Sequence, residues 1–286
     1  MRQQNVLITG ISSGIGRSAA VFLAEHGFCV YGTVRKQEDA DEIKALNNPN
    51  LIPLLMDVTD KVQINTIKDQ LKDIPLAGLV NNAGIAVSGP VKYVSEDKLR
   101  RLFDVNVFGL INVTQAFIPN LELNGKINGT PGRIVNISSV SGLIVTPFMS
   151  PYAASKFAVE AFSDGMRREL NHTGIKVCII EPGPIKTKIW DKAMTEDTSD
   201  FKNEYSKMAQ HRSGFIQNTI DNALPDVYTS RSIYDALTDS NPKVRKIVTK
   251  NATMFKLIWK LPARWLDYFA GKRINMNQIE KNLKNH

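Results

Sequence analysis

Short apolar runs alternate with longer segments of helical periodicity along most of the chain. The runs predict seven strands, of which the last is the weakest: Val6–Ile8, Phe28–Gly32, Leu51–Met56, Leu76–Val80, Arg133–Ile137, Lys176–Ile180 and Lys246–Thr249. The helical segments between them are Gly14–His26, Glu38–Leu46, Lys61–Lys72, Ser95–Ile118 and Tyr152–Asn171. Strands that are apolar on both faces and alternate with helices indicate a parallel sheet covered on both sides. The pattern therefore predicts an α/β fold, a single doubly wound domain around a mainly parallel seven-stranded sheet.

Length and composition agree with this organisation. The chain has 286 residues, of which 43% are apolar and 22% charged, as in an ordinary globular protein with one large α/β domain. We expect the main domain over residues 1–250, with a loop over about 184–214, and a helical extension over residues 251–286. Cys29 and Cys178 lie far apart in apolar runs, and the four histidines show no metal-ligand spacing. Neither a disulfide framework nor a metal site is expected.

The charge is concentrated at one end of the chain. Lys and Arg outnumber Asp and Glu by 36 to 28, and residues 243–286 hold eleven of the basic residues but two of the acidic ones. Between Met254 and Phe269, cations recur every three or four residues among apolar and aromatic side chains, with an interruption at Pro262. Such a pattern is typical of helices that lie on a membrane surface. The alternative is a pair of short helices that pack over the substrate entrance.

The sequence also bears on nucleic-acid binding, on membrane insertion and on the cellular location of the protein. A basic chain can bind nucleic acid, but the sequence holds no zinc finger, recognition helix or aromatic RNA-binding motif, so we expect no nucleic-acid partner. No segment reaches the roughly 18 apolar residues of a membrane span, and no N-terminal stretch is long enough for a secretory signal. We expect a cytoplasmic protein, with peripheral membrane contact as an added possibility.

A glycine-rich turn follows the first predicted strand and opens the first helix: Thr9-Gly10-Ile11-Ser12-Ser13-Gly14-Ile15-Gly16. Glycines permit a tight turn and let a pyrophosphate approach the free N–H groups of the helix. This context favours a dinucleotide site formed by Gly10, Ser12, Ser13, Gly14, Ile15 and Gly16, although such a turn also serves as a plain connection.

The end of the second strand distinguishes between the two nicotinamide dinucleotides. An acidic residue there binds the ribose hydroxyls of NAD, whereas an arginine accommodates the 2′-phosphate of NADP. The chain has Arg35 and Lys36 there and no acidic residue. We therefore expect NADP(H) to be preferred over NAD(H); the alternative is that both are solvated surface charges.

Ser139, Tyr152 and Lys156 form the strongest candidate catalytic set. The spacing of four residues places Tyr152 and Lys156 on one helical face. A tyrosine with an ordinary pKa near 10 needs help to act as a base at neutral pH, and a neighbouring ammonium lowers that pKa. Ser139 follows a strand and can donate a hydrogen bond to the substrate oxygen. The pair alone also fits an ordinary helix with an exposed lysine.

Six motifs in order resemble the short-chain dehydrogenase/reductase family over roughly residues 4–190, with features of its retinol and hydroxysteroid dehydrogenase branch. They are the glycine turn, Asn81-Asn82-Ala83-Gly84, Asp104-Val105-Asn106-Val107, Asn136-Ile137-Ser138-Ser139, Tyr152-Ala153-Ala154-Ser155-Lys156 and Pro182-Gly183-Pro184-Ile185-Lys186-Thr187. The resemblance implies a Rossmann-type sheet in the order 3-2-1-4-5-6. In that order the strands of Cys29 and Cys178 are not neighbours, so both thiols would be buried and unpaired.

The resemblance also implies roles for individual residues. Asn106, Ser139, Tyr152 and Lys156 would form the catalytic tetrad, with Asn106 holding a water in a proton relay. Cofactor contacts beyond the glycine turn would come from Arg35, Asp57, Val58, Asn82, Ala83, Gly84, Tyr152, Lys156, Pro182, Gly183, Ile185 and Thr187. Asp57 has an alternative as a helix N-cap, and Asn82 has one as a turn residue.

The implied activity is an NADP-dependent interconversion of an alcohol and its carbonyl by hydride transfer. We expect substrate contacts from Ser139, Phe148, Met149 and Trp190, and the apolar residues of this set suit a lipophilic steroid, retinoid or acyl-type substrate. Those residues have an equal alternative as packing against the protein body. Family resemblance implies a homodimer or homotetramer. The competing function is a non-catalytic NAD(P)-binding sensor or scaffold, which the presence of all four tetrad residues disfavours.

Overall fold

The computed structural model describes residues 4–187, 217, 219–258 and 261–273. Within them, seven strands form one sheet: β1 (Gln4–Ile8), β2 (Phe28–Val34), β3 (Leu51–Leu55), β4 (Leu76–Asn81), β5 (Arg133–Ile137), β6 (Lys176–Pro182) and β7 (Arg245–Val248). Their order is β3-β2-β1-β4-β5-β6-β7, and every neighbouring pair is parallel. The predicted doubly wound α/β fold is confirmed. Strand β2 runs two residues further than predicted.

Helices cover both faces of this sheet. They are α1 (Gly14–Glu25), α2 (Gln37–Lys44), α3 (Lys61–Gln70), α4 (Glu96–Phe103), α5 (Leu110–Asn128), α6 (Ser150–Glu169), α7 (Val227–Thr238), α8 (Ala252–Ile258) and α9 (Ala263–Arg273). Short 3₁₀ turns lie at Val91–Tyr93, Val140–Gly142 and Leu170–Thr173. Alternate residues of a strand point to opposite faces, so Val6 packs with α1, α2 and α7 on one side, and Leu7 packs with α3 and α5 on the other.

Helix α7 lies between β6 and β7 and was not predicted. Its buried face contains Thr229, Ser230 and Ser232 beside Ile233, so the apolar periodicity that marks a helix in sequence is weak. The two serine hydroxyls bond inside the protein: Ser230 Oγ lies 2.9 Å from Ser18 Oγ on α1, and Ser232 Oγ donates to the carbonyl of Tyr228 at 2.9 Å. Helix α7 thus packs on α1 through small polar side chains.

The segment predicted as one helix, Ser95–Ile118, is divided and extends further. A π-helical stretch, Asp104–Gly109, separates α4 from α5, and α5 continues through Pro119 to Asn128, where Gly129 ends it with a left-handed backbone (φ 81°). Among the described residues, the span Glu96–Asn128 is long and apolar enough to cross a membrane. Half of its most apolar window is buried inside the protein, as in a core helix.

The predicted C-terminal helical extension is present as α8 and α9. Pro262 separates them, and its carbonyl accepts hydrogen bonds from the N–H groups of Trp265 and Leu266. The domain boundary at residue 250 stays a prediction. Cys29 on β2 and Cys178 on β6 are both buried free thiols, separated by three strands, as the implied strand order required.

Candidate active site

The carboxyl ends of β1, β2, β4, β5 and β6 meet along one edge of the sheet, and the predicted residues follow these ends. Ligands of doubly wound sheets bind at this edge. Here the glycine turn folds back on the segment after β4. A Cβ added to Gly16 would lie 2.2 Å from the Gly10 carbonyl oxygen and 2.3 Å from Asn82 Nδ2. Gly10 itself has φ +72° and lies against Ala83. The turn therefore requires glycine at both positions.

The start of α1 fits the phosphates of a dinucleotide. Ser13 precedes the helix in an extended conformation, and its side chain caps no N–H group. The first turn of α1 contains no acidic residue, so the free N–H groups and the helix dipole are available to an anion. Thr187 lies at this turn, since a Cβ on Gly14 would be 3.3 Å from Thr187 Cβ. Two predicted cofactor segments, 173 residues apart at Gly14 and Thr187, are thus brought together.

Asn82 joins β4 to the glycine turn. Its Nδ2 donates to the carbonyls of Thr9 and Gly10, each at 2.9 Å, and the Thr9 hydroxyl accepts from the backbone N–H groups of Asn82 and Ala83 at 3.0 Å. Asn82 is therefore not a plain turn residue. Thr9 contributes equally to these hydrogen bonds. Nothing in the sequence beyond its place in the motif indicated that role.

Arg35 lies immediately beyond β2 and is exposed. The strand end is tied to the glycine turn, because the Gly10 N–H donates to Thr33 Oγ1 at 3.2 Å and the Ile11 N–H donates to the Thr33 carbonyl at 2.9 Å. No ion pair joins Arg35 to any residue that the structure describes. By contrast, Arg17 is held by Glu42 at 3.0 Å.

Asp57 and Val58 follow β3. The Asp57 carboxylate accepts from the Thr59 N–H at 2.9 Å and from the Thr59 hydroxyl at 2.8 Å. The N-cap of α3 is Asp60, which accepts from Val62 and Gln63, so the alternative role of Asp57 as that cap is wrong. The Val58 side chain is buried, and a Cβ on Gly109 would lie 2.7 Å from Val58 Cγ2. Contacts of either residue with a cofactor stay a prediction.

Asn106 lies in the π-helical stretch and is buried. Its amide forms two hydrogen bonds with the backbone of Ile85, at 2.8 and 2.9 Å, and donates to Ser155 Oγ at 3.0 Å. Ser155 in turn donates to the Tyr152 carbonyl at 2.7 Å. π-Helical turns interrupt the regular carbonyl pattern of a helix and often occur at functional sites. Ser155 is a positioning residue that spacing alone did not identify.

Ser139, Tyr152 and Lys156 converge where β5 meets α6. Pro151 in the first turn fixes the start of α6, and Tyr152 and Lys156 lie one turn apart on it. Lys156 Nζ lies 5.7 Å from the centre of the Tyr152 ring and donates to the Ile137 carbonyl at 2.9 Å. The Ser139 hydroxyl is buried and lies 3.4 Å from the Pro182 carbonyl. These three side chains are brought together as the sequence predicted.

Burial dominates the ionisation of this group. It lowers the pKa of Lys156 to about 8, an effect that the negative charge of Glu160 opposes. Burial also raises the pKa of Tyr152, against a smaller lowering by the Ser139 hydroxyl. Loss of hydration penalises the charged form of each group. Near neutral pH the favoured state is therefore a protonated Tyr152 phenol beside the Lys156 ammonium.

The remaining predicted residues that the structure describes lie just before α6 and just after β6. Phe148 and Met149 directly precede α6 and are half-buried. Phe148 has φ +67°, and its carbonyl accepts from the Gly89 N–H at 2.8 Å. Gly183 lies against Thr249, and buried Ile185 forms a bridge with Leu224. Trp190 lies outside the described residues, as does most of the predicted substrate loop.

Comparisons with known proteins identify the family of the chain. A family model described as short chain dehydrogenase matches residues 4–198. The NADPH-dependent 3-dehydrocapnine reductase of Ornithobacterium rhinotracheale is 33% identical over 266 residues, covering 91% of this chain and 94% of that protein. Human retinol dehydrogenase 5 is 34% identical, covering 91% and 84%. The structure of ElxO with NADP bound superimposes with a TM-score of 0.69 at 27% identity, covering 87% of this chain and 96% of that one.

Proposed function

The chain belongs to the short-chain dehydrogenase family, and from that premise we propose that it is an NADP-preferring reductase of a lipophilic carbonyl compound that uses Tyr152 as its acid. Membership makes it an NAD(P)-dependent oxidoreductase that interconverts alcohols and carbonyls. The observation that carries the finer proposal is the convergence of Ser139, Tyr152 and Lys156 at the edge where the glycine turn also lies. When bound, the nicotinamide supplies or accepts the hydride.

In this mechanism the protein's residues handle the proton and the substrate oxygen. Ser139 donates a hydrogen bond to the carbonyl oxygen and holds it beside Tyr152. Tyr152 then donates its phenolic proton as negative charge develops on that oxygen. Lys156 stabilises the resulting phenolate, and Asn106 positions α6 through Ser155. The raised pKa of Tyr152 keeps the phenol protonated at neutral pH, as the role of acid requires.

The proposed preference for NADP is supported by the position of Arg35. It lies two residues beyond Thr33, which is bonded to the glycine turn, and its guanidinium has no carboxylate partner among the described residues. A guanidinium without a carboxylate partner is suited to a bidentate contact with the 2′-phosphate. The names of the NADPH-dependent reductase and of the NADP-bound ElxO agree with the use of NADP by relatives.

A lipophilic substrate is supported by the residues that border Tyr152. Phe148 and Met149 are partly exposed on the segment just before it, and the left-handed backbone of Phe148 is an unfavourable conformation for a bulky residue. Such strain is often retained where a side chain must point at a ligand. The relative named retinol dehydrogenase 5 is consistent with a hydrophobic alcohol or carbonyl.

A substrate panel with a Tyr152 variant tests the reaction. Ketosteroids, retinal and long-chain 3-keto compounds are offered with NADPH, and the loss of absorbance at 340 nm is followed. For any compound that is reduced, Tyr152→Phe is expected to lower kcat by about 10²–10⁴-fold, the usual contribution of a general acid. The dissociation constant for NADPH, measured by fluorescence, should stay within about twofold, because the ring still fills its site.

Tyr228→Phe is the matched control, since Tyr228 is exposed on α7 and is not one of the predicted site residues. It should leave both turnover and NADPH binding unchanged. Turnover in Tyr152→Phe above about a tenth of the wild-type value would contradict Tyr152 as the acid.

Contact with an anionic membrane surface, by a protein otherwise in the cytoplasm, is part of the same proposal. Exposed apolar side chains on α8 and α9 include Leu257 and Trp265, 63% and 60% exposed, beside Lys256 and Arg264. Aromatic residues next to cations favour the headgroup region. The full chain should float with vesicles containing phosphatidylserine at low salt, and the variant Leu257→Glu/Trp265→Glu should not. Val62→Glu, at an exposed position of α3, should still float. Equal flotation of all three proteins contradicts the contact.

A homodimer or homotetramer is the proposed assembly. Phe108, Phe157 and Phe162 are exposed on the π-helical stretch and α6. Exposed aromatic side chains are enriched at protein–protein contacts.

A further inference from the structure

A cluster of charged side chains lies behind the catalytic residues and joins α6, β6 and β7. Arg245 on β7 is at its centre. Its Nε lies 3.1 Å from Glu160 Oε2 on α6 and 3.5 Å from Glu181 Oε1 on β6, and its Nη2 lies 3.0 Å from Asp164 Oδ1 on α6. Glu160 and Glu181 are both buried. Carboxylates are seldom buried unless they are paired, because removing a charge from water costs free energy.

Glu160 is placed between this cluster and the catalytic group. It follows Lys156 by four residues, one turn along α6. It also lies beside the segment that carries Ser139: a Cβ on Gly142 would be 2.8 Å from Ser138 Oγ and 3.1 Å from Glu160 Cγ. Glu160 Oε1 and Ser138 Oγ are both buried, and the Ser138 hydroxyl acts on the Glu160 carboxylate. One oxygen of Glu160 is thus fixed by Arg245, in a buried region that also contains the Ser138 hydroxyl.

The charges around Glu160 come from three elements. On its own helix it faces Lys156 and Asp164, on β6 it faces Glu181, and on β7 it faces Arg245. Burial raises the pKa of Glu160, while the Ser138 hydroxyl and Arg245 lower it and Asp164 raises it. Burial lowers the pKa of Lys156, and Glu160 is the group that opposes this. An ammonium that is 6% exposed loses most of its hydration, so a nearby fixed anion has a large effect on its charge.

We propose that Glu160, held by Arg245, is a positioning residue of the reaction, whose carboxylate stabilises the buried ammonium of Lys156 beside Tyr152. The inference deepens the proposed function and rests on the role given there to Lys156. Arg245 fixes the carboxylate through a contact between residues 85 positions apart, so β7, at the sheet edge, supports the catalytic helix. A purely structural role would tie β7 to α6 without changing the ionisation of Lys156.

Titration of Lys156 by NMR separates these two roles. The full chain is labelled with ¹³C at lysine Cε, and the Lys156 signal is identified as the one lost in Lys156→Arg. In Glu160→Gln, the midpoint of the Lys156 titration is expected to fall by about one pH unit, the effect of removing a unit charge one turn away on the same helix in a partly buried site. Glu160→Asp keeps the charge and should recover most of that shift. Glu169→Gln, at the exposed end of the same helix, should leave the midpoint unchanged.

Glu160→Gln is expected to fold, because Arg245 keeps Asp164 and Glu181 as partners. Thermal unfolding checks this, and Glu160→Met, similar in length and uncharged, provides the same measurement if the amide is not tolerated. An unchanged Lys156 midpoint in a folded, neutral variant at position 160 overturns the proposal. The titration involves no turnover, so that result would leave the proposed reaction standing, whereas a wild-type activity in Tyr152→Phe would overturn the reaction and not the coupling between Glu160 and Lys156.

Discussion

Two parts of the same sheet edge are built from different kinds of contact. The cofactor side, made of the segments after β1, β2 and β4, is held by backbone groups, glycines and neutral amides, with Asn82 bonded to the carbonyls of Thr9 and Gly10. The catalytic side, made of the segments after β5 and β6 together with α6, contains the buried charges of Lys156 and Glu160.

This difference follows from what each side binds or does. A pyrophosphate needs N–H groups brought close to it, and only residues without a Cβ permit that approach. Proton transfer needs groups whose ionisation lies near the working pH, and burial with charged neighbours provides it. On the cofactor side, the effect of a substitution should therefore depend on the volume of the new side chain and not on pH. On the catalytic side, the effect should depend on pH more than on volume.

The largest effect is expected from Gly16→Ala on the cofactor side. The added methyl group would lie 2.2 Å from a backbone oxygen and 2.3 Å from Asn82 Nδ2, and neither can move without opening the turn. We expect a loss of about 3 kcal/mol in the free energy of unfolding, the upper range for overpacking, and NADPH binding weakened by about 100-fold or more. Urea unfolding and fluorescence titration measure the two quantities, and both losses should be the same at pH 6 and pH 8.

Gly165→Ala is the control for that substitution. Gly165 lies in the C-terminal part of α6, where the nearest atom to an added Cβ is Glu169 Oε1 at 3.6 Å. Alanine there should raise the free energy of unfolding by about 0.5–1 kcal/mol, because glycine is a poor helix former. If the two alanine variants had similar stability, the close packing of the glycine turn would be disproved.

On the catalytic side, Glu181→Gln should change the pH dependence of stability. Burial, with the negative charge of Glu160, raises the pKa of Glu181 from 4.5 to about 7. The folded chain then binds this proton more tightly than the unfolded chain, so the free energy of unfolding falls as pH rises from about 4.5 to 7. The penalty is complete above pH 7 and amounts to about 3 kcal/mol for a shift of this size. The Glu181→Gln variant does not have this penalty.

Urea unfolding of both proteins at pH 5 and pH 8 measures this. The variant should be more stable than the wild type by up to about 3 kcal/mol at pH 8 and close to it at pH 5. Glu169→Gln, exposed on α6, should show no such difference. A gain in Glu181→Gln that is equal at the two pH values would mean that the carboxylate is not the origin of the effect.

The comparison also explains how far sequence could predict the molecule. Tyr152 and Lys156 are four residues apart on one helix, so their alignment follows from local geometry. The glycine turn is equally local, since Gly10 and Gly16 belong to one strand-to-helix connection. The structure of such elements is determined by residues that are close together in the sequence. The strands are also predictable from local sequence, because apolar residues bury both faces of the sheet.

The parts that were missed depend on contacts between distant residues. Helix α7 buries Ser230 against Ser18, more than 200 positions away, and a buried hydroxyl gives no apolar periodicity. Glu160 and Arg245 look like ordinary surface charges in sequence, because nothing local indicates that α6 and β7 place them together. The continuation of α5 through Pro119 was missed for a related reason: tertiary packing of Phe117 and Leu121 outweighs the local preference of proline to end a helix.

The smallest effect on stability is expected from Arg35→Ala, which tests whether a charge on the cofactor side acts on ligand alone. Arg35 is exposed and has no ion pair among the described residues, so its removal should change the free energy of unfolding by less than about 0.5 kcal/mol. Binding of NADPH should weaken by about 10- to 150-fold, equivalent to the 1.5–3 kcal/mol of a charge-assisted contact, while binding of NADH should stay within about twofold. Arg231→Ala, exposed on α7, should alter neither constant. Because this contact lies in water, its effect should shrink as salt is raised, in contrast to the contact of Arg245 with the buried carboxylate of Glu160. Equal weakening of NADPH and NADH in Arg35→Ala would show that the residue does not contact the 2′-phosphate.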